Sequence, residues 1–343
     1  MNGRRVPRLP LLVLPVLGTL VMLLIGCGHQ GIVKPPAGVP LDGWVVYAAV
    51  DSQGPANSFI LIEARLDGTQ RTRLPGPDGL PSWCPRWSPD GRYVACLHSP
   101  GVICDPNSCY QILLQNAAGT RTRVLGWTSG DFIDWSPRGD RLLCLEGAVD
   151  TVGGAPTNYQ PPTYQVFEGD SVSHLMPRQW APDGERVYAL GYAAPVPRNR
   201  GAYDPRYYEV FETEFPSGRV VRRLTHNLYA EWPFQVSPDG TRLLLQVDSA
   251  AGPELATLGI ADSMPREFVP AVPGTSPRWA ADGRTVVYLQ SLASRAAVVR
   301  VHSPGDPRVD WQVSGTDAVA GWDYGPDIYL LPSPAAPGGR ALR

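Results

Sequence analysis

Reactive side chains come first, and they are scattered. The five histidines, His29, His98, His174, His226 and His302, lie far apart in the chain. No two stand at a metal-ligand or base-and-partner spacing, so they read as packing or surface residues. Asp90, Asp183, Asp239 and Asp282 recur in similar sequence and offer carboxylates for calcium. Each stands in a separate turn sequence rather than in one loop of alternating ligands, so they read as turn builders. Among the cysteines, Cys104 and Cys109 in Cys-Asp-Pro-Asn-Ser-Cys form the disulfide candidate. Cys96 and Cys144 fall at core positions, and Cys84 either pairs with Cys96 or stays free. A G-x-S-x-G elbow is missing, since Gly126-Trp127-Thr128-Ser129-Gly130 has its serine one place late. Phosphate loop, dinucleotide, zinc-protease and EF-hand patterns are absent as well. The sequence therefore predicts no catalytic residue, no metal and no cofactor.

One cysteine has a different chemistry. Met1 to Arg8 is basic, Leu9 to Ile25 is apolar but for Thr19, and the stretch closes on Leu24-Ile25-Gly26-Cys27. A basic segment followed by an apolar one predicts a secretory signal over 1–26. Its end resembles the bacterial lipobox, which implies cleavage before Cys27 and lipidation of that cysteine. Each buried CH₂ of an acyl chain contributes about 0.8 kcal/mol, so two or three chains hold a protein firmly on a membrane. Export would also permit the disulfide. Residues 27–41 follow as a Gly/Pro-rich flexible tether. Gly28 rather than Asp after the cysteine favours the outer membrane, facing the periplasm, in a host with two membranes.

The elements that must position any site are legible in composition and repeats. Of 343 residues 43% are hydrophobic and 18% charged, which excludes a disordered chain. Gly 36 and Pro 37 disfavour a helix bundle, because both break helix interiors. A formal charge of -2 provides no basic field, and nucleic acid is not an expected partner. One signature recurs: CPRWSPDGRYVACL at 84–97, FIDWSPRGDRLLCL at 132–145, RQWAPDGERVYAL at 178–190, PFQVSPDGTRLLLQ at 233–246 and SPRWAADGRTVVYLQ at 276–290. A degenerate copy, VAGWDYGPDIYLL, lies at 319–331. Its anchors Trp87, Trp135, Trp180, Val236, Trp279 and Trp322 are 43 to 56 residues apart, the length of a four-stranded propeller blade. Serine, proline, aspartate and glycine in succession build a tight hairpin turn, with Gly91, Gly184, Gly240 and Gly283 supplying the left-handed residue. Apolar runs such as Tyr93 to Leu97 follow each turn. Third strands are expected at 59–62, 111–114, 164–167, 208–211, 255–260 and 297–301.

The W-S-P-D-G turn followed by an apolar strand resembles the TolB-type, WD40-like (PD40) propeller-repeat family over about 42–334. The resemblance implies an all-β fold, a six-bladed β-propeller, with seven blades as the alternative and 335–343 as a disordered tail. Trp44 to Tyr47 would be a second strand whose inner partner comes from Ala318 to Trp322, leaving Ile328 to Leu331 over.

Insertions at 98–109, 147–163 and 191–206 fall on the face opposite the turns. Tyr159, Tyr192, Arg198, Arg200 and Tyr203 lie in or beside these loops. Trp127, Asp131, Tyr229 and Glu231 lie between blades on the same face. Aromatic and Arg anchors on a scaffolded loop surface suit a protein interface. The predicted function is a lipid-anchored, non-catalytic interaction module of the bacterial envelope, bound to the membrane through Cys27 and to an envelope protein. The alternative is a small-ligand or carbohydrate receptor or enzyme that uses the central channel.

Overall fold

The computed structural model describes residues 41–51, 59–74, 76, 81–100, 110–117, 121–153, 155–193, 208–225, 234–249, 252–260, 267–268, 274–292, 296–303, 306, 309–314, 318–319 and 325–331. Their strands form a six-bladed β-propeller. Blade 1 is Ser82–Trp87, Tyr93–His98, Tyr110–Asn116 and Thr122–Thr128, each antiparallel to the next. Blade 2 is Asp134–Trp135, Arg141–Cys144, Gly147–Asp150 and Thr157–Asn158. Blade 3 is Asp170–Trp180, Arg186–Ala193, Tyr208–Glu214 and Val220–Arg223. Blade 4 is Phe234–Val236, Arg242–Ser249, Gly252–Gly259 and Glu267–Phe268. Blade 5 is Gly274–Trp279, Val286–Ser291, Ala296–His302 and Asp310–Gln312. Blade 6 joins the chain's two ends: Asp327–Leu330 supplies the inner strand beside Gly43–Val50, Phe59–Arg65 and Thr72–Leu74.

The turn chemistry repeats as its sequence requires. In blade 1 the Ser88 hydroxyl donates to Asp90 at 2.6 Å and accepts from the Tyr93 amide at 3.0 Å, while the Gly91 amide donates to the Ser88 carbonyl. Ser237 and Asp239 make the same bonds in blade 4. Gly91 adopts φ 69, and a Cβ there would meet the Tyr329 ring at 2.3 Å. Its counterparts Gly139, Gly184, Gly240 and Gly283 each face the turn proline of the preceding blade. Glycine is thus fixed both by a left-handed backbone and by close blade packing.

Burial explains the apolar runs. Strand Tyr93–His98 is exposed only at Tyr93. The clusters of buried side chains draw on neighbouring blades: Val187, Phe211 and Leu143 join blades 3 and 2, while Leu243, Leu245 and Tyr188 join blades 4 and 3. Strands covered on both faces need no alternation.

Two expectations are corrected. Residues 147–163 are not simply an insertion. Gly147–Asp150 turns back tightly on Arg141–Cys144 as the third strand of blade 2, because Gly147 takes φ 147 where a Cβ would strike the Thr157 carbonyl. Tyr164–Phe167, expected in that role, pairs instead with Asp170–Ser173 as an addition to blade 3. The ring also closes elsewhere than expected. Ala318–Val319 is a short bridge between Ala296–Ala297 of blade 5 and Ala49 of blade 6, and Asp327–Leu330 is the inner strand of blade 6, not a leftover. The seven-bladed alternative falls with it.

Glu63, on the third strand of blade 6, is 7% exposed, and burial lifts its carboxyl from 4.5 to about 7. The folded chain holds that proton between the two values and the unfolded chain does not. The contribution of Glu63 is therefore fully present below about 4.5 and is lost as pH climbs through about 7. Glu63→Gln is expected to remove this slope and to be more stable than wild type above the window by about 2–3 kcal/mol. Urea midpoints measured on both proteins across the window check it, and parallel pH profiles would refute it.

Candidate functional site

Each inner strand carries a polar residue immediately before its anchor: Arg86, Asp134, Gln179, Gln235, Arg278 and Asp327 in blades 1 to 6. All six line one cavity of about 370 Å³ on the turn face of the ring. Trp87, Trp135, Trp180 and Trp279 form its walls, and Pro89, Pro137, Pro182 and Pro238 stand at the level of the turns. The site is a funnel with an apolar wall and a charged floor.

Position along the repeat explains how these side chains tie the ring together. The Asp327 carboxylate accepts from the Trp87 amide at 2.7 Å, and Asp134 accepts from the Trp180 amide at 3.0 Å. Gln179 accepts from the Val236 amide at 2.7 Å, and Gln235 from the Trp279 amide. Arginine cannot accept a hydrogen bond. At blade 1 the Trp135 indole donates to the Arg86 carbonyl instead, at 3.0 Å. The equivalence makes Ile328, not Trp322, the anchor of blade 6; Trp322 lies outside the described residues.

The two arginines are freed for the floor. Both follow an X-Pro-Arg-Trp sequence in which X has a left-handed backbone, Cys84 at φ 51 and Ser276 at φ 54, where the strand register shifts. Bulges of this kind re-aim side chains. Arg278 meets Asp134 at 3.1 Å and Asp327 at 3.8 Å. Arg86 donates to the Pro85 and Gly325 carbonyls at 2.7 and 3.2 Å. Burial, then the nearby Arg278, lowers the Arg86 guanidinium below its ordinary value. Burial pushes the Asp134 carboxyl up, against the pull of Arg278. Repeat alignment carried the signal for this floor, because a polar residue stands before the anchor in every copy.

The turn aspartates serve the turns. Hydrogen bonds from the Ser237 and Thr241 hydroxyls hold the Asp239 carboxyl below its usual range. Among the described residues no three His, Cys, Asp or Glu side chains are grouped to hold a metal. Cys84, Cys96 and Cys144 are buried free thiols, and burial pushes Cys96 and Cys144 up to about 12, far from the thiolate needed for reactivity. His98 is fully buried beside the Ser82 hydroxyl at 3.0 Å.

The loop-face residues divide. Tyr159 and Tyr192, expected to meet a partner, are buried. The Tyr159 hydroxyl lies 2.9 Å from that of Thr213, and its ring stacks on Phe215. Tyr192 stacks on Tyr208 with centroids 4.2 Å apart. A tyrosine can bury its ring where its hydroxyl finds a partner, and surrounding prolines do not prevent it. Asp131 pairs with Arg178 at 3.1 Å and so ties the segment between blades 1 and 2 to blade 3. Trp127 alone of the described candidates is a large exposed apolar group, at 45%. Cys27, Cys104, Cys109, Arg198, Arg200, Tyr203, Tyr229 and Glu231 lie outside the described residues.

Fold and funnel together define the class: a six-bladed β-propeller with a polar ring at its axis. Among solved structures it is similar to TolB from Acinetobacter baumannii, with a TM-score of 0.56 and 20% identity. That match takes in 83% of this chain and 66% of the other, so the chain spans about two thirds of that protein's length. A candidate TolB from Agrobacterium tumefaciens gives a TM-score of 0.50 and 12% identity over 85% of this chain and 99% of the other. Likeness at these identities is likeness of fold. No protein-family model and no curated protein matches the chain.

Proposed function

We propose that the protein is an exported, lipid-anchored and non-catalytic recognition module of the bacterial envelope that binds a second envelope protein. The anchor is Cys27, and the membrane is the outer one where the host has two. The carrying observation is where large apolar side chains remain uncovered. Of those described as exposed, Tyr93, Val124, Trp127, Val152, Tyr164, Val166 and Val221 belong to blades 1 to 3 and only Val50 and Leu292 to other blades. Exposed apolar groups mark interaction surfaces, and tryptophan is among the side chains most enriched where binding energy concentrates. Trp127, near the end of the outer strand of blade 1, is the expected anchor.

Crosslinking in live cells followed by purification of the tagged lipoprotein tests this. One envelope protein should be enriched with the wild type and fall by about tenfold or more with Trp127→Ala. Recovery of no protein above the membrane background, or equal recovery with both forms, would end the proposal.

A further inference from the structure

The funnel on the turn face carries an imbalance that the fold does not resolve. Its floor holds two arginines and two aspartates, yet both carboxylates are engaged with Arg278 and with backbone amides. Arg86 is 8% exposed and, among the described residues, has no carboxylate within ion-pair distance. Among the described residues only backbone carbonyls receive its hydrogen bonds. Among the described residues its Nε and that of Arg278 have no acceptor, and neither do the indole N–H groups of Trp87, Trp180 and Trp279. The two arginines and two aspartates balance in formal charge, so what is left over is unpartnered donors, and Arg86 is the cation without a carboxylate in contact. Buried donors without partners are rare and need a reason. The bulged Cys84-Pro85 backbone before Arg86 adds a second sign of a constrained, functional position.

We propose that this cavity is a binding site for a carboxylate carried on a small apolar group, with Arg86 as the ion-pair partner and the tryptophan and proline walls covering the apolar part. A guanidinium matches a carboxylate in geometry and in charge. A volume of about 370 Å³ admits an aromatic acid or the last residue of a peptide, within the ordinary range of ligand pockets. The site faces away from the loop side of the ring and does not depend on the partner surface at Trp127.

The test uses the detergent-solubilised full-length protein, labelled with ¹⁵N, with the tryptophan indole N–H resonances and calorimetry as readouts. Phenylacetate is compared with its neutral isostere phenylacetamide. Acetyl-Ala-Ala-Phe with a free terminal carboxylate is compared with the same peptide amidated. The acids should bind and shift the indole signals, with each amide about tenfold weaker or more. Arg86→Gln should remove the difference between acid and amide, while Trp127→Ala should retain it. If Arg86→Gln does not fold, the acid-against-amide comparison on the wild type still decides. Stronger binding of the peptide acid would assign the site to chain ends, and stronger binding of phenylacetate to free acids. Equal binding of acid and amide, or no indole shift with any acid, would overturn the proposal.

Discussion

Asp134→Ala is expected to destabilise the protein by about 3–5 kcal/mol, more than most single substitutions. Asp134 stands in blade 2 and Arg278 in blade 5, so their 3.1 Å contact spans the axis. Its other oxygen holds the Trp180 amide of blade 3. Removing the carboxylate leaves a cation only 13% exposed without its nearest partner and orphans a buried backbone N–H. Desolvation makes an unpaired buried charge far more costly than a lost surface pair. The control is Asp134→Leu combined with Arg278→Met, which removes both charges and should recover most of the loss. Urea unfolding of the purified full-length proteins measures both. A loss under about 0.5 kcal/mol for Asp134→Ala would mean that Arg278 is solvated and that the floor is not a closed ionic ring.

What was legible in the sequence follows the range of the interactions involved. The hairpin turns were readable because serine, proline, aspartate and glycine act within a few residues of one another, as in the bonds from Ser88 to Asp90 and Tyr93. Blade number followed from counting those turns and the strands after them. The burial of the loop tyrosines is not legible locally, because Tyr159 lies among Pro156, Pro161 and Pro162, a composition typical of exposed loops. Its hydroxyl partner Thr213 is more than fifty positions away. The funnel floor was visible in part: Cys84-Pro85-Arg86-Trp87 and Ser276-Pro277-Arg278-Trp279 repeat the same pattern. Nothing local says that Arg278 will meet Asp134 across the ring, because that meeting exists only once six blades have closed.

Ring closure is the place where motif and register disagreed, and it supplies the other large prediction. Repeat spacing selected Trp322, yet Gly43↔Leu330, Trp44↔Tyr329, Val45↔Ile328 and Val46↔Asp327 are the paired residues. Ile328 is 6% exposed and packs with Val45 and Tyr47 of the first strand. Tyr329 lies against Trp87 of blade 1, with ring centroids 5.9 Å apart. Ile328→Asp is expected to cost about 4 kcal/mol or more, since it combines loss of a core side chain with burial of a charge. The effect should reach beyond blade 6. Opening this strand exposes the edge of Gly43–Val50 and withdraws Asp327 from the Trp87 amide, so blade 1 loses a hydrogen-bond partner at the same moment. Denaturant unfolding should show a lower midpoint for Ile328→Asp, and Trp322→Ala should change it by less. If Trp322→Ala were the damaging change and Ile328→Asp were silent, the closing strand would lie where the repeat spacing put it, and the Asp327 link to blade 1 would have to be abandoned.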